Sequence, residues 1–101
     1  MNWFVYMILC SDASLYTGIT TDVSRRYHQH AHAKGAKYFR GRQPVSLLYV
    51  EKGHDRSSAS RREMSIKQMN KKDKMSLLAS PLNALPQLDI DLSKMCDEAI
   101  F

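Results

Sequence analysis

Five side chains of this sequence have types that together could hydrolyse a phosphodiester: Tyr6, Tyr16, Arg26, His30 and Glu63. Such a reaction needs a group that orients or deprotonates the attacking water, and positive charge beside the phosphate oxygens, where negative charge grows. A phenol with a pKa near ~10 needs a nearby cation or metal to act as the base, whereas an imidazole titrates in a suitable range. The residues alone leave both kinds of base open.

Three strands are predicted from the residue types. Residues 3 to 10 are rich in aromatic and branched side chains, residues 11 to 14 have turn chemistry, and residues 15 to 20 are again typical of a strand. This order predicts a β-hairpin with a four-residue loop, with Tyr6 and Tyr16 on its two strands. A third strand is predicted over residues 45 to 51.

The first helix is predicted over residues 23 to 34, with an N-cap at Thr21 or Asp22 and a glycine at its end. Arg26 and His30 lie one turn apart, within or beside the inward stripe of this helix. Polar side chains at such positions need partners or a function.

A second helix is predicted over residues 59 to 70, with N-caps available at residues 55 to 58, and a short helix over residues 71 to 78. Glu63 falls only ~40 to 60° from the apolar side of the second helix. A carboxylate near the core is costly unless it is paired or binds a metal. Two interpretations stay open, namely a structural Arg26–Glu63 ion pair and a functional site.

Charge divides the chain into a basic body and an acidic tail. Residues 1 to 78 carry fourteen Lys and Arg against six Asp and Glu, whereas residues 79 to 101 carry one Lys against four Asp and Glu. A basic body of this size indicates a polyanionic partner, most commonly nucleic acid. The alternative is that the charge serves only solubility.

Size and apolar patterning restrict the class of protein. The 101 residues with 44% apolar side chains predict one domain. The apolar runs are too short to span a bilayer, and the N-terminal residues lack the pattern of a signal peptide, so a cytoplasmic protein without membrane contact is expected. Cys10 and Cys96 are expected to be reduced.

A basic loop follows the first helix and mixes cations with aromatic side chains, as nucleic-acid-binding loops do. Its predicted binding residues are Lys34, Lys37, Tyr38, Arg40 and Arg42. The alternative is a solvated loop with one aromatic ring in the core.

Three histidines at positions 28, 30 and 32 could suggest a zinc site. Only the first and third share a helical face, so the run lacks a third ligand.

Four motifs, in their order and spacing, resemble those of the GIY-YIG nuclease domain, especially its small stand-alone YhbQ-like bacterial branch. These are Val5-Tyr6-Met7, Tyr16-Thr17-Gly18, Arg25-Arg26 with His30, and Arg61-Arg62-Glu63 with Ile66-Lys67. The resemblance covers residues 2 to 78.

The resemblance implies an α+β fold, with a small three-stranded antiparallel sheet flanked by helices. It implies a domain over residues 1 to 78, and we expect the acidic extension over residues 79 to 101 to pack on it. The implied activity is hydrolysis of DNA with one divalent metal, Mg²⁺ or Mn²⁺, in DNA repair or processing. A catalytically weak nucleic-acid-binding module and an RNA-acting hydrolase are the alternatives, and protein partners stay unknown.

The resemblance also implies a role for each matching residue. Tyr6 and Tyr16 are similar to the tyrosines of the two tripeptides, Gly18 to the glycine that follows, and Glu63 to the metal-binding glutamate. Arg26 resembles the active-site arginine, and His30 resembles the histidine or tyrosine one turn later. The likeness favours a tyrosine as the group that acts on water.

Three positions depart from the family pattern. Val5 replaces the first glycine, Ile19 stands where some members have a lysine, and only Asn70 is available as a counterpart to a late asparagine. The missing lysine predicts slow or substrate-restricted turnover, because that cation would stabilise the charge of the transition state.

Overall fold

A computed structural model describes residues 2–32 and 42–87 of the chain. Its elements are β1 (Trp3–Cys10), β2 (Leu15–Thr20), α1 (Val23–Ala31), β3 (Pro44–His54), α2 (Arg56–Lys67) and α3 (Lys71–Ser76), followed by two 3₁₀ turns, Leu77–Ala79 and Leu85–Gln87. The strands form one antiparallel sheet in the order β2-β1-β3. The predicted α+β fold is therefore confirmed.

The central strand β1 is buried on both faces of the sheet. Its residues Tyr6, Ile8 and Cys10 pack in a cluster with Val23 of α1. Val5 and Met7 point to the opposite face, where they join the buried side chains of α2. Successive strand residues alternate between faces, so a continuous apolar strand requires a layer on each side. The sheet consequently lies between α1 and α2.

The hairpin has the predicted four-residue loop between Cys10 and Leu15. The third strand is longer than predicted, because its pairing with β1 continues until His54 lies opposite Trp3. Helix α2 begins at Arg56 and not at residue 59, because Asp55 caps it in a reciprocal capping box with Ser58.

The second helix also ends earlier than predicted, at Lys67. Asn70, considered above as the counterpart of the late family asparagine, is the N-cap of α3. Its side chain accepts a hydrogen bond of 2.8 Å from the amide of Asp73. The short helix predicted over residues 71 to 78 is α3 with the following 3₁₀ turn.

Some predictions fall outside the described residues. They concern the end of the first helix beyond His32, most of the basic loop, Cys96 and most of the acidic extension. Cys10 is a buried free thiol, as predicted. None of the helices in the described segments is long and apolar enough to cross a membrane.

Candidate active site

The hydroxyl of Tyr6 is the centre of a buried polar group on the α1 side of the sheet. It lies 2.8 Å from Nε2 of His30, although the two residues are 24 positions apart in sequence. Helix α1 carries His30 over the sheet. The helix begins at Val23 because Asp22 caps its first turn by accepting a hydrogen bond from the amide of Arg25. Both Tyr6 and His30 are almost fully buried.

Gly18 lies directly opposite Tyr6 in the sheet. A Cβ atom at this position would lie 2.5 Å from the Tyr6 hydroxyl oxygen and 2.9 Å from a ring carbon of Tyr16. The missing side chain is thus what allows the two tyrosines to share one site. Here glycine is needed for space.

Tyr16 completes the aromatic part of the site. Its ring centroid lies 6.1 Å from that of Tyr6 and 5.2 Å from that of His30, which it meets edge-on. We call Tyr6, Tyr16, Arg26 and His30 the tyrosine cluster.

Arg26 supplies the positive charge of this cluster. Its guanidinium donates a hydrogen bond of 2.9 Å to Oε1 of Gln29, one turn further along α1. Burial raises the pKa of Tyr6 and Tyr16 and lowers that of His30; the charge of Arg26 opposes the rise for the tyrosines and adds to the lowering for His30. The guanidinium also hydrogen-bonds to Tyr6. The two inward polar residues of the first helix therefore face the two tyrosines of the hairpin.

Burial decides the protonation states of the cluster. It raises the pKa of Tyr6 and Tyr16, and the opposing effect of Arg26 does not cancel this rise. Burial, with the charge of Arg26, lowers the pKa of His30 to about 4. Both phenols and the imidazole are thus neutral at pH 7, and His30 is a weaker base than an ordinary histidine.

Glu63 lies at the margin of α2, between the buried residues Ala59 and Ile66. Its side chain is 24% exposed, and its Oε2 lies 3.4 Å from Nζ of Lys67. Within the described residues its ion pair is with Lys67 and not with Arg26, so the structural pair considered from the sequence is not formed. Burial raises the pKa of Tyr16, and the negative charge of Glu63 adds to this rise, so the carboxylate interacts electrostatically with Tyr16.

A cleft of about 310 Å³ opens beside the cluster, with Arg26 in its wall. The strands contribute Trp3 and Ile19, and α1 contributes Arg25 and Gln29 besides Arg26. Ile19 stands where some family members have a lysine. The cleft wall is therefore apolar at this position.

Glu63 is the carboxylate whose charge acts on Tyr16, whereas Asp22, which lines the cleft, is engaged as the N-cap of α1. Among residues 2–32 and 42–87, no group of three or more His, Cys, Asp or Glu could hold an ion, and this includes the histidines of α1. Such a site does not suit zinc, which takes three or four protein ligands. It does fit Mg²⁺, which is commonly bound by one or two carboxylates together with waters and substrate phosphates.

Only one of the predicted nucleic-acid-binding loop residues, Arg42, is described. Its Nε donates a hydrogen bond of 2.6 Å to Oδ2 of Asp12 in the hairpin loop. The hydrogen bond from the Ser14 hydroxyl, followed by that from Arg42, lowers the pKa of Asp12. Arg42 thus anchors the end of the basic loop to the hairpin. The other four, Lys34, Lys37, Tyr38 and Arg40, lie outside the described residues.

A second buried polar group, on the α2 side of the sheet, was missed from the sequence. Glu51 accepts hydrogen bonds from the Tyr49 hydroxyl at 2.5 Å, from Nε of Arg62 at 3.0 and 3.2 Å, and pairs with Nε2 of His54 at 2.6 Å. We call these four residues the Glu51 cluster. Strand alternation offered a signal, because it places Tyr49 and Glu51 on the same face.

Comparison with known proteins agrees with the motifs and the fold. The model of the GIY-YIG catalytic domain matches residues 2–76. The chain is 52% identical to the UPF0213 protein DP2720 of Desulfotalea psychrophila over 77 residues, which are 75% of this chain and 70% of that protein. It is 49% identical to the UPF0213 protein YhbQ of Escherichia coli K12 over 77 residues, covering 76% and 77% of the two chains.

A solved structure extends the comparison to three dimensions. The solution NMR structure of the UPF0213 protein BH0048 from Bacillus halodurans matches with a TM-score of 0.50 and 38% identity, over 90% of this chain and all of that one. Fold, motif order and sequence similarity thus agree, and this chain belongs to the GIY-YIG domain family, a family of nucleases.

Proposed function

We propose that this protein is an endonuclease that hydrolyses phosphodiester bonds in DNA with the help of Mg²⁺ or Mn²⁺, in DNA repair or processing. The observation that supports this most is the convergence of the five chemistry-bearing side chains. Residues from two strands and α1 meet in the tyrosine cluster, and the charge of Glu63 reaches Tyr16 from α2.

Arg26 is the residue that binds the scissile phosphate in this proposal. A guanidinium offers a planar set of donors that fits phosphate oxygens, and it stays charged throughout the reaction. It is half-buried, and it lines the open cleft while contacting Tyr6. Negative charge that grows on the phosphate oxygens is thus met by a charge already in place.

The tyrosine hydroxyls orient the attacking water. Both phenols are neutral in the free protein, so their contribution is hydrogen bonding to the water and not a resting phenolate. His30 fixes the Tyr6 hydroxyl at 2.8 Å. Because the pKa of His30 is about 4, it serves as a neutral hydrogen-bond partner at pH 7.

Glu63 is the residue that would hold the metal. When bound, Mg²⁺ supplies Lewis-acid stabilisation of the phosphate and of the departing 3′ oxygen. The carboxylate suits this role because it is partly exposed and its ion-pair partner, Lys67, is a flexible side chain at the surface.

A second candidate function is nucleic-acid binding with little catalysis. The apolar Ile19 in the cleft favours it, because this chain lacks the family's additional cation at that position. The two functions differ in what they require of Glu63, since a binding module does not need a carboxylate beside a phosphate site.

A substrate panel tests the proposal. The pure protein is incubated with labelled single-stranded, duplex and flapped DNA and with RNA, in Mg²⁺, Mn²⁺ or EDTA. We expect metal-dependent cleavage of DNA. Glu63→Gln should raise the activation barrier to cleavage by several kcal/mol and leave DNA binding nearly intact. Asp73→Asn, a change of an exposed carboxylate on α3, is the matched control and should leave cleavage unchanged. Full cleavage by folded Glu63→Gln would rule out the metal role, and cleavage of RNA alone would assign the other substrate.

A further inference from the structure

The cleft beside Arg26 has two chemically different walls. The sheet wall contains Trp3 and Ile19, and the α1 wall contains Arg25, Arg26 and Gln29. The end of β2 and the turn before α1 add Thr20, Thr21 and the carboxylate of Asp22. The cleft volume of about 310 Å³ lies at the lower end of the range of small-ligand sites. An aromatic side chain and two guanidinium groups around one cleft match a nucleotide, which has a flat base and a charged phosphate.

We propose that this cleft binds one unpaired nucleotide of the DNA strand next to the scissile phosphate. Its base stacks at Trp3 and Ile19, and its phosphate is bound by Arg25. This proposal rests on the proposed function for the position of the scissile phosphate at Arg26, and it adds the class of substrate, which is single-stranded DNA or an unpaired segment.

The first turn of α1 explains why the side chains, and not the helix amides, bind the phosphate. The carboxylate of Asp22 accepts a hydrogen bond of 3.1 Å from the amide of Arg25, and the Thr20 hydroxyl is bonded to the backbone of Asp22. The amide of Arg25 is thus occupied, and the carboxylate repels an anion at the end of the helix. Arg25 is exposed, so its guanidinium remains available to a phosphate.

The sheet wall explains the preference for unpaired DNA. In a duplex the faces of the bases are covered by their neighbours, so an aromatic wall can stack only with a base that has left the duplex or never entered one. Trp3 is partly exposed, and the guanidinium of Arg56 lies 5.8 Å from its ring centroid. Ile19 extends this apolar surface at the position where a lysine would have favoured a second phosphate.

Trp3 is the single tryptophan of the chain, so its fluorescence reports on this cleft without any modification. The wild-type protein in EDTA is titrated with an oligothymidylate and with a duplex, and gel analysis verifies that the DNA stays intact. We expect saturable quenching by the single strand and much weaker quenching by the duplex at equal phosphate concentration. Unchanged Trp3 emission, when the anisotropy of labelled oligothymidylate shows binding, would overturn the proposal, as would equal quenching by both.

Two substitutions test the two walls separately. Trp3→Leu should weaken binding of the single strand by ~10-fold or more and leave duplex binding unchanged, because stacking on the ring is lost. Arg25→Ala should lower the salt slope for the single strand by about 0.7, the value for one phosphate contact. Arg61→Ala removes the same charge from an exposed site on α2, outside the cleft, and is the control. Equal effects of the two arginine substitutions would contradict a phosphate site at Arg25.

The outcome for the cleft is separate from the outcome for cleavage. Quenching by single strands without cleavage of any substrate would support the nucleotide site and refute the nuclease proposal. Cleavage of DNA without a change in Trp3 emission would support the nuclease proposal and refute the nucleotide site. If Trp3→Leu does not fold, because Trp3 also packs on the core, the titration of the wild-type protein still decides.

Discussion

The two faces of the sheet each bury a polar cluster with tyrosine, histidine and arginine, but the two clusters are organised differently. In the Glu51 cluster a carboxylate receives hydrogen bonds from Tyr49 and Arg62 and pairs with His54. In the tyrosine cluster there is no carboxylate among the four members, and Arg26 lies at the wall of an open cleft. The first cluster satisfies its own charges, whereas the second has a cation that faces solvent.

The pKa directions describe the same difference. Burial raises the pKa of Glu51, but hydrogen bonds from Tyr49, His54 and Arg62 outweigh this effect, so the net pKa is lowered and the carboxylate stays ionised. Tyr49, which donates to that carboxylate, has its pKa raised by burial and by Glu51 to about 12. The Glu51 carboxylate has its charged and hydrogen-bonding partners within the protein. The Arg26 guanidinium bonds to Gln29 and Tyr6 but has no carboxylate in its cluster, and it lines the cleft, where it can bind an anionic substrate.

The largest expected difference is between substitutions of two glutamates, Glu51 in the Glu51 cluster and Glu63 beside the tyrosine cluster. Glu51→Ala removes the acceptor shared by three side chains and leaves Arg62 without its partner, so the free energy of unfolding should fall by ~3 to 5 kcal/mol. Glu63→Gln should change it by less than ~1 kcal/mol, because an exposed ion pair contributes little. Urea unfolding of both variants measures this. A stable Glu51→Ala protein, or an unfolded Glu63→Gln protein, would reverse the assignment of structural and functional carboxylates.

Lysine substitution of the two arginines gives the next largest effect. Arg26→Lys keeps the charge but loses the planar set of donors, so cleavage should fall by ~10²-fold with little change in melting temperature. Arg62→Lys should behave in the opposite way, since it loses the two contacts of Nε with Glu51 and with them ~1 to 3 kcal/mol of stability.

Cleavage rate and melting temperature are measured on both arginine variants. If Arg26→Lys loses stability at normal specific activity, Arg26 is structural and the tyrosine cluster resembles the Glu51 cluster after all.

Local patterns in the sequence predicted the elements of the fold, whereas the grouping of Tyr6, Tyr16, Arg26 and His30 in one site came from the resemblance to the GIY-YIG domain. Strand alternation and helix caps predict the elements, and helical spacing marks Arg26 and His30 as polar residues on an inward face. The Glu51 cluster was missed because two partners of Glu51 lie outside the predicted strand: His54 is at the end of β3, and Arg62 comes from α2. The ionisation state of His30 was also not predictable, since it depends on how deeply α1 buries the ring.

Gly18→Ala is the next test, because it adds one methyl group between the two tyrosines. Overpacking should cost ~1 to 3 kcal/mol of stability and should lower cleavage, since the Tyr6 hydroxyl must move from a Cβ only 2.5 Å away. Gly53 is the control, because there a glycine is favoured by the backbone angle, a φ of +84°, and not by a lack of space around the Cβ position. Gly53→Ala should cost about 1 kcal/mol through backbone strain and leave cleavage unchanged. Full activity and stability of Gly18→Ala would contradict the steric role.

Acidification should affect the tyrosine cluster before the Glu51 cluster. The ordinary imidazole pKa of 6.5 applies to His30 in the unfolded chain, whereas the folded protein binds that proton only near pH 4. The unfolded state therefore gains the proton first, and stability is lost as the pH falls below 6.5. Glu51 has the opposite kind of shift, a pKa lowered from 4.5, so its stabilisation is present above pH 4.5 and is lost only in more acidic solution.

Between pH 7 and 5.5 the effect of His30 on stability can be measured without a contribution from Glu51, whose effect begins below pH 4.5. We expect the free energy of unfolding to fall by about 1 kcal/mol over this interval, as the linkage relation gives for a pKa change from 6.5 to about 4. In His30→Gln this fall should disappear, because the amide side chain does not titrate. Urea unfolding at constant ionic strength measures both proteins. If the variant keeps the same fall, another group causes it, and the burial of a neutral His30 beside Tyr6 does not govern the acid sensitivity of this face.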